Sequence, residues 1–326
     1  MSFLLKKLLS IAPQEVTFAR RGFRVPRASV REHLERIGEA FRQGYQAVLE
    51  NPRESALTGR LETVELEFRG FAYEGAAMAM DLLDQLRPWA DLLLPAFLAG
   101  PGRQHRYMVH VGAGWSMARL RLRLRRRFSE LDPLLGWLAY DGFGFHEGYF
   151  HWPRYANGTW RPALLQGYAL RAFDQGLGRS MWFVSGADPQ WISAIISGFP
   201  ETRRGDLWSG VGLACAYAGG CDEEEIVGLL QLSTGYRSHL AQGAVFAAKT
   251  REYAGNPMPH TESACRIICG LSLHQAAVIA DQALGQATAG DEPAYEDWRY
   301  RIREQFRKPK KGSLEDRSPG RYLVAR

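Results

Sequence analysis

The densest chemistry lies in YDGFGFHEGYFHW (140–152), where Asp141, His146 and Glu147 set two carboxylates and an imidazole among Phe143, Phe145, Tyr149, Phe150 and Trp152. Aromatic surroundings exclude water and move pKa values toward neutrality, which suits general acid–base catalysis. Asp141, His146 and Glu147 are therefore candidate catalytic groups. Phe143, Phe145, Tyr149 and Trp152 are candidate walls for an apolar substrate. The opposing reading has His146 bonded to a backbone group while the aromatics fill a core.

Two more candidates, His110 and Asp174, each stand two positions before a Gly-x-Gly, at 112–114 and 176–178, so they could face each other across a duplicated pocket. Arg179 and Arg203 lie among large apolar residues in FDQGLGRSMWF (173–183) and FPETRRGDLWSG (199–210). Arginines so placed either pair with neighbours such as Asp174 and Asp206 or hold a substrate carboxylate or phosphate bidentately.

Standard cofactor motifs are missing. Both Gly-x-Gly sites lack the third glycine of a dinucleotide fingerprint, and there is no Walker A sequence. His146 and His151 are five apart, which on a continuous helix turns them from a shared face, and no HExxH accompanies them. No metal ligand set is assigned and the cofactor is left unknown.

These groups must be positioned by helices, because apolar residues recur mostly at the helical period. Helices are expected at 31–50, at 74–98 with a break near Pro88, at 111–128 and at 260–284; LETVELEFRGFAY (61–73) is the best strand candidate. The expected fold is mainly α, a bundle or irregular solenoid with little β structure. One domain over 1–307 is expected, with two duplicated halves near 30–130 and 131–307 as an option, and a flexible basic tail over 308–326.

The duplication rests on two recurrences. Gln or Glu followed by Gly and then by Tyr or Ala occurs at Gln43-Gly44, Glu74-Gly75, Glu147-Gly148, Gln166-Gly167 and Gln242-Gly243. YMVHVGAGWSMARL (107–120) also aligns without gaps on RAFDQGLGRSMWFV (171–184), pairing both glycines and Ser116-Met117 with Ser180-Met181, and SGVGLACAYAG (209–219) offers a third Gly-x-Gly. Glycine in a helix costs about 1 kcal/mol relative to Ala, so its repetition implies close helix packing that offsets the cost.

The net charge of +6 is concentrated in RLRLRLRRR (119–127), which holds six arginines and no acid. Leu120, Leu124 and Phe128 fall at i, i+4 and i+8, so this is either a solvated helix face or a patch for phosphates, an anionic membrane or an acidic partner. Nucleic acid is not expected, since no recognition motif is present. Cys215, Cys221, Cys265 and Cys269 lack paired CxxC spacing and read as reduced thiols. No apolar run is long enough to span a bilayer. A cytoplasmic protein is expected, with residues 3–11 either docked or touching a membrane.

Four segments, YDGFGFHEGYF (140–150), RAFDQGLGRSMWFVSGADP (171–189), RRGDLWSGVGLACAYAGG (203–220) and YRSHLAQGAVFAAKTR (236–251) followed by HTESACRIICG (260–270), resemble the UnbL-like proteins of the bacterial enediyne biosynthesis cassette. The resemblance covers roughly residues 1–305. It implies a pathway rather than a reaction: help in converting a polyene or polyketide intermediate into the enediyne core, beside an iterative polyketide synthase and a membrane-embedded protein. It carries over no catalytic residues. The two functions it leaves open are an enzyme component that binds the intermediate and a scaffold or adaptor that links the synthase to its membrane partner. Oligomeric state is not read from the sequence.

Overall fold

The computed structural model describes residues 3–307 apart from positions 88 and 123. The described residues are all-α, with seventeen α-helices, two short 3-10 turns and no strand. The basic tail at 308–326 lies outside them.

Long helices form a row, and shorter ones connect them on the outside. The row is α3 (Ala28–Glu50), α5 (Arg69–Leu86), α7 (Arg106–Leu120), α9 (Trp137–Tyr155), α10 (Tyr168–Val184), α12 (Glu201–Ala218) and α14 (Arg237–Tyr253), each packed against the next. Connecting helices include α4 (Glu54–Glu62), α6 (Leu93–Ala99), α8 (Leu124–Ser129), α11 (Pro189–Ser197), α13 (Glu223–Leu232) and α15 (Pro259–Cys269). Row neighbours run parallel: between α10 and α12, contacts climb together from Asp174–Arg203 through Gln175–Ser209 to Trp182–Gly219. The row then curls until its ends meet, where Arg251 of α14 donates to the Glu67 carbonyl ahead of α5 and Phe71 packs edge-on against Tyr217.

Glycine explains how the row is held. Two positions along a helix is a turn of about 200°, so a Gly-x-Gly opens a notch on each of two opposite sides. A Cβ at Gly112 would overlap the Glu74 carbonyl of the preceding helix, and one at Gly114 would overlap Ala139 of the following helix. Gly142 and Gly144 repeat the arrangement, as do Gly176 and Gly178, then Gly210 and Gly212. With no side chain between them, backbones approach closely enough for Cα–H to meet carbonyl oxygen, each contact contributing about 0.5–1 kcal/mol. The 107–120 and 171–184 alignment is thus physical: Ser116 and Ser180 both bond the carbonyl three residues back, and Met117 and Met181 are both fully buried. The contact recurs helix by helix, at Gly75, Gly112, Gly142, Gly176, Gly210 and Gly243.

Several sequence expectations are corrected. Residues 61–73 are the end of α4, a turn and the start of α5, since tertiary packing buries Phe68 and Phe71 as helix-entry residues rather than as a strand face. The helix expected over 111–128 breaks at Arg121, which takes a left-handed conformation (φ 53°) and separates α7 from α8. The helix at 260–284 is two: α15 ends at a left-handed Gly270, and Ser272 with Gln275 forms a capping box that starts α16 (Leu273–Gly285). Gly167 is no packing glycine, because it lies in a loop with φ 56° and open space around it. The N-terminal helix α1 (Phe3–Leu9) is docked, its Leu9 carbonyl accepting from Tyr45 at 2.8 Å. Among the described residues, no single helix is long and apolar enough to cross a membrane.

Candidate functional site

The position before the first glycine of a notch faces the inside of the curl. In α9, α10, α12 and α14 these residues are Asp141, Gln175, Ser209 and Gln242, and they bond in series: Gln175 Nε2 to Asp141 at 2.8 Å, Ser209 Oγ to Gln175 at 3.3 Å and to Gln242 at 2.7 Å. The last helix, α17 (Ala294–Gln305), closes the series with Arg299, which reaches Gln242, Asp206 and Glu296. The glutamate/glutamine-glycine repeat is thus partly an interior polar ladder. Its Asp141 and Ser209 rungs escape a search confined to Gln and Glu, and Gln175 escapes because Leu177, not Tyr or Ala, follows its glycine.

Asp141 is paired with Arg179, both buried, and Arg179 also neighbours Glu74 of α5. Burial drives the Glu74 carboxyl up to about 7, the Arg179 charge opposing it and the Asp141 charge adding to it. Asp174 is gripped by Arg203, with Nε–Oδ2 at 2.9 Å, and the same guanidinium donates to the Gly158 carbonyl at 2.8 Å. Both candidate substrate-binding arginines are consumed by internal partners. His110 and Asp174 hold equivalent places on α7 and α10 but bind different partners, Arg106 and Arg203.

Phe143, Phe145 and Tyr149 are core residues, and Trp152 is half-buried. Two apolar voids lie beside them, one lined by Phe145, Phe183, Tyr217 and Trp298, the other by Phe41, Trp115, Phe145 and Tyr149; each is about 30 Å³. A water needs about 10–15 Å³ on this measure, so each void holds a couple of waters at most. A polyene does not fit.

His146 and Glu147 have a different setting. His146 is buried edge-on against Trp115, and its Nδ1 has no hydrogen-bond partner. Burial lowers its pKa, so the ring is neutral. Fully buried Glu147 accepts from Arg121 at 2.7 Å on one oxygen and from Tyr155 at 2.8 Å on the other. Burial raises its pKa, but His146, Tyr155 and Arg121 together outweigh that and hold it at about 2. The expectation that His151 turns away from His146 is overturned, because helix α9 is not continuous: ahead of Pro153, His151 adopts φ −128° and ψ 27°. The kink sets the two rings 6.1 Å apart, and one ligand atom each from His146, Glu147 and His151 lies within 4.8 Å of the others.

Open space is found elsewhere. Between the end of α5, α6, the start of α7 and α8 lies a cleft of about 910 Å³, within the range of ligand sites. Leu94, Leu98, Leu122 and Leu131 supply its apolar walls, and Arg103, Arg106, Arg126 and Arg127 its cations. The carboxylates present are already engaged. Asp84 accepts the Leu93 and Leu94 amides, Glu130 pairs with Arg126 and Arg127, and Asp132 accepts the Leu134 and Leu135 amides. Arg127 also pairs with buried Asp81, and the Arg103 side chain has no ion-pair partner among the described residues. Among the described arginines of the 119–127 run, Arg121 serves Glu147, while Arg126 and Arg127 form a cleft wall.

His110 lies at the bottom of this cleft, 4% exposed. Its Nδ1 is 2.7 Å from the Arg106 carbonyl, which can only accept, so Nδ1 carries the proton and Nε2 keeps a lone pair. Burial lowers the ring's pKa, the Arg106 carbonyl opposing, and the imidazole is neutral at pH 7. A neutral imidazole oriented by a backbone carbonyl has the lone pair a general base needs. Of the proposed catalytic residues, His110 alone lines the cleft; its other residues went unrecognised because Leu92, Leu94 and Leu98 read as helix core. The signal available in the sequence was the pairing of that leucine run with the arginines at 103 and 106.

Curled parallel helices closed by glycine contacts, with an amphipathic cleft on one side, define an all-α protein. The chain belongs to the DUF1702 family, described as a protein of unknown function, whose model matches residues 1–306. No curated protein and no solved structure matches it.

Proposed function

We propose that this protein binds a chain-like, largely apolar molecule with an anionic end in the α5–α8 cleft, and that His110 takes or returns a proton there. The cleft carries this reading: it combines 910 Å³ of space, leucine walls and arginines, one of them unpaired. Leu94, Leu98 and Leu131 contact the chain, and Arg103 and Arg106 hold the anion. The similarity of residues 140–270 to UnbL-like proteins supports a polyene or polyketide intermediate of enediyne biosynthesis as the ligand.

A conjugated tetraenoic fatty acid, fluorescent when buried, is the direct probe. Low-micromolar binding is expected, weakened at least 10-fold by Leu98→Arg and by Arg103→Glu, each about 1.4 kcal/mol. Binding that neither substitution changes would refute the assignment. Full product formation by His110→Gln protein in a strain lacking the native gene would remove the catalytic role while leaving the binding role.

A scaffold linking the synthase to a membrane partner is the second reading, favoured by one feature. Trp89 is 81% exposed on the turn leading into α6, close in sequence to exposed Leu92 of the cleft wall. Trp89→Asp should abolish co-purification with the partner if this face docks, and leave fatty-acid binding intact.

A further inference from the structure

The geometry points to a divalent transition-metal site at the kink of α9, formed by His146 Nδ1, Glu147 Oε1 and His151 Nε2. His146 Nδ1 and His151 Nε2 lie 3.8 and 4.0 Å from the same carboxylate oxygen. These separations are too long for hydrogen bonds and a few tenths of an ångström beyond the edges of a metal's coordination polyhedron, roughly 3–3.6 Å for ligands about 2.0–2.2 Å from one ion, so a small rotation of exposed His151 closes the set on an ion.

Two observations point to a ligand rather than to packing alone. His146 Nδ1 is buried with no partner, and leaving a polar atom in that state costs about 1–3 kcal/mol. His151, four residues after Glu147, shares a helix face with it, and its departure from helical geometry turns its ring toward that of His146, 6.1 Å away. On a continuous helix the five-residue spacing would have kept them apart.

Charge around the site is accounted for on every side. Arg121 from the end of α7 holds Glu147 Oε1, Arg154 stands 3.8 Å from Oε2, and Tyr155 donates to Oε2. Arg119, also on α7, is turned toward Tyr45. The metal's competitor is therefore Arg121, whose side chain is 40% exposed at the break between α7 and α8, where it can swing into solvent as a cation enters. Tyr155 and Arg154 would remain as partners orienting the carboxylate. Two imidazoles and one carboxylate suit Fe(II), Co(II) or Zn(II), and leave coordination positions open for water or a small anion. His151 is the exposed ligand, which gives the ion a path inward.

The test is titration of chelator-stripped protein with Co(II), read by visible d–d absorption and by calorimetry, and it does not depend on the cleft. One equivalent is expected, with a Kd of roughly 10 μM or tighter. His151→Ala, at an exposed position that leaves the core intact, should weaken binding about 10–100-fold, as should His146→Asn. Arg121→Ala removes the competitor and should tighten binding several-fold. The inference fails if Co(II) gives no spectral change at millimolar concentration, or if His151→Ala binds as tightly as the native protein.

Discussion

The interior around Asp141 and the cleft around His110 both start from a helix carrying a Gly-x-Gly notch, yet one is closed and the other open. In the interior, neighbours crowd each notch from both sides. Asp141, Gln175, Ser209 and Gln242 have nowhere to turn but toward each other and toward Arg179 and Arg299. On the cleft side, α7 is cut short at Arg121 and α5 at Leu86, so the elements that follow splay apart and leave 910 Å³. Buried charge follows packing in the first region; in the second, charge is left over after packing. The proposed ligand site lies in the second because the first has room for only a few waters.

The comparison breaks most decisively at a notch. Gly176→Val would drive a side chain into the Asp141 carbonyl and the Phe145 amide, backbone that cannot yield. A loss of about 3 kcal/mol or more is expected, seen as insoluble protein or a collapsed thermal transition. A Gly176→Val protein that melted near the native temperature would show that the row is not as tight as described. Next in size is Arg179→Ala, which strands buried Asp141 and should cost about 3–5 kcal/mol; Arg179→Met combined with Asp141→Leu should recover most of it, by chemical denaturation.

Acid tests the same ladder without mutation. Burial raises the pKa of Glu296, but Arg299, Arg303 and Arg171 outweigh burial and hold it at about 2 in the folded chain. A folded pKa below the ordinary carboxylate value of about 4.3 contributes stability that is fully present above that pH and is lost as pH falls toward 2. The loss amounts to roughly 3 kcal/mol for this one group. Glu296→Gln should flatten that limb of the stability–pH curve. Glu74 runs the other way: with its folded pKa up at about 7, it destabilises the fold at high pH, and that penalty disappears as pH falls from 7 toward 5.

Cleft substitutions should cost far less stability. His110→Gln gives up one hydrogen bond to the Arg106 carbonyl, about 1 kcal/mol by denaturation. Arg126→Ala, at a side chain 72% exposed, should change stability by less than about 1 kcal/mol. If either destabilised the chain as much as Arg179→Ala, the cleft would be part of the core and the division between the two regions would fall.

Much of this was legible from residue order. The 3.6-residue period of 31–50 declares a helix, and Leu34, Ile37, Phe41 and Val48 lie on the buried stripe of α3. The repeated Gly-x-Gly and the Ser-Met that follows marked α7 and α10 as equivalents, as their matching serine bonds show. Residues 61–73 misled because alternating polar and apolar residues also suit a helix end, a turn and a helix start. His151 misled for a related reason. Spacing predicts orientation only while the backbone stays helical, and Pro153 ends that condition.

By itself, the sequence determined that the chain is helical, that its helices approach at glycines and that its arginines outnumber their local acids, because period, side-chain size and charge are properties of residue order. Only the tertiary structure decided which arginines are spent. Arg179, Arg203 and Arg121 find carboxylates 38, 29 and 26 positions away, while Arg103 finds none among the described residues. Cavity volume is likewise a residue of packing: whether aromatics enclose a pocket or fill it depends on how closely neighbouring backbones stand, which no single helix encodes.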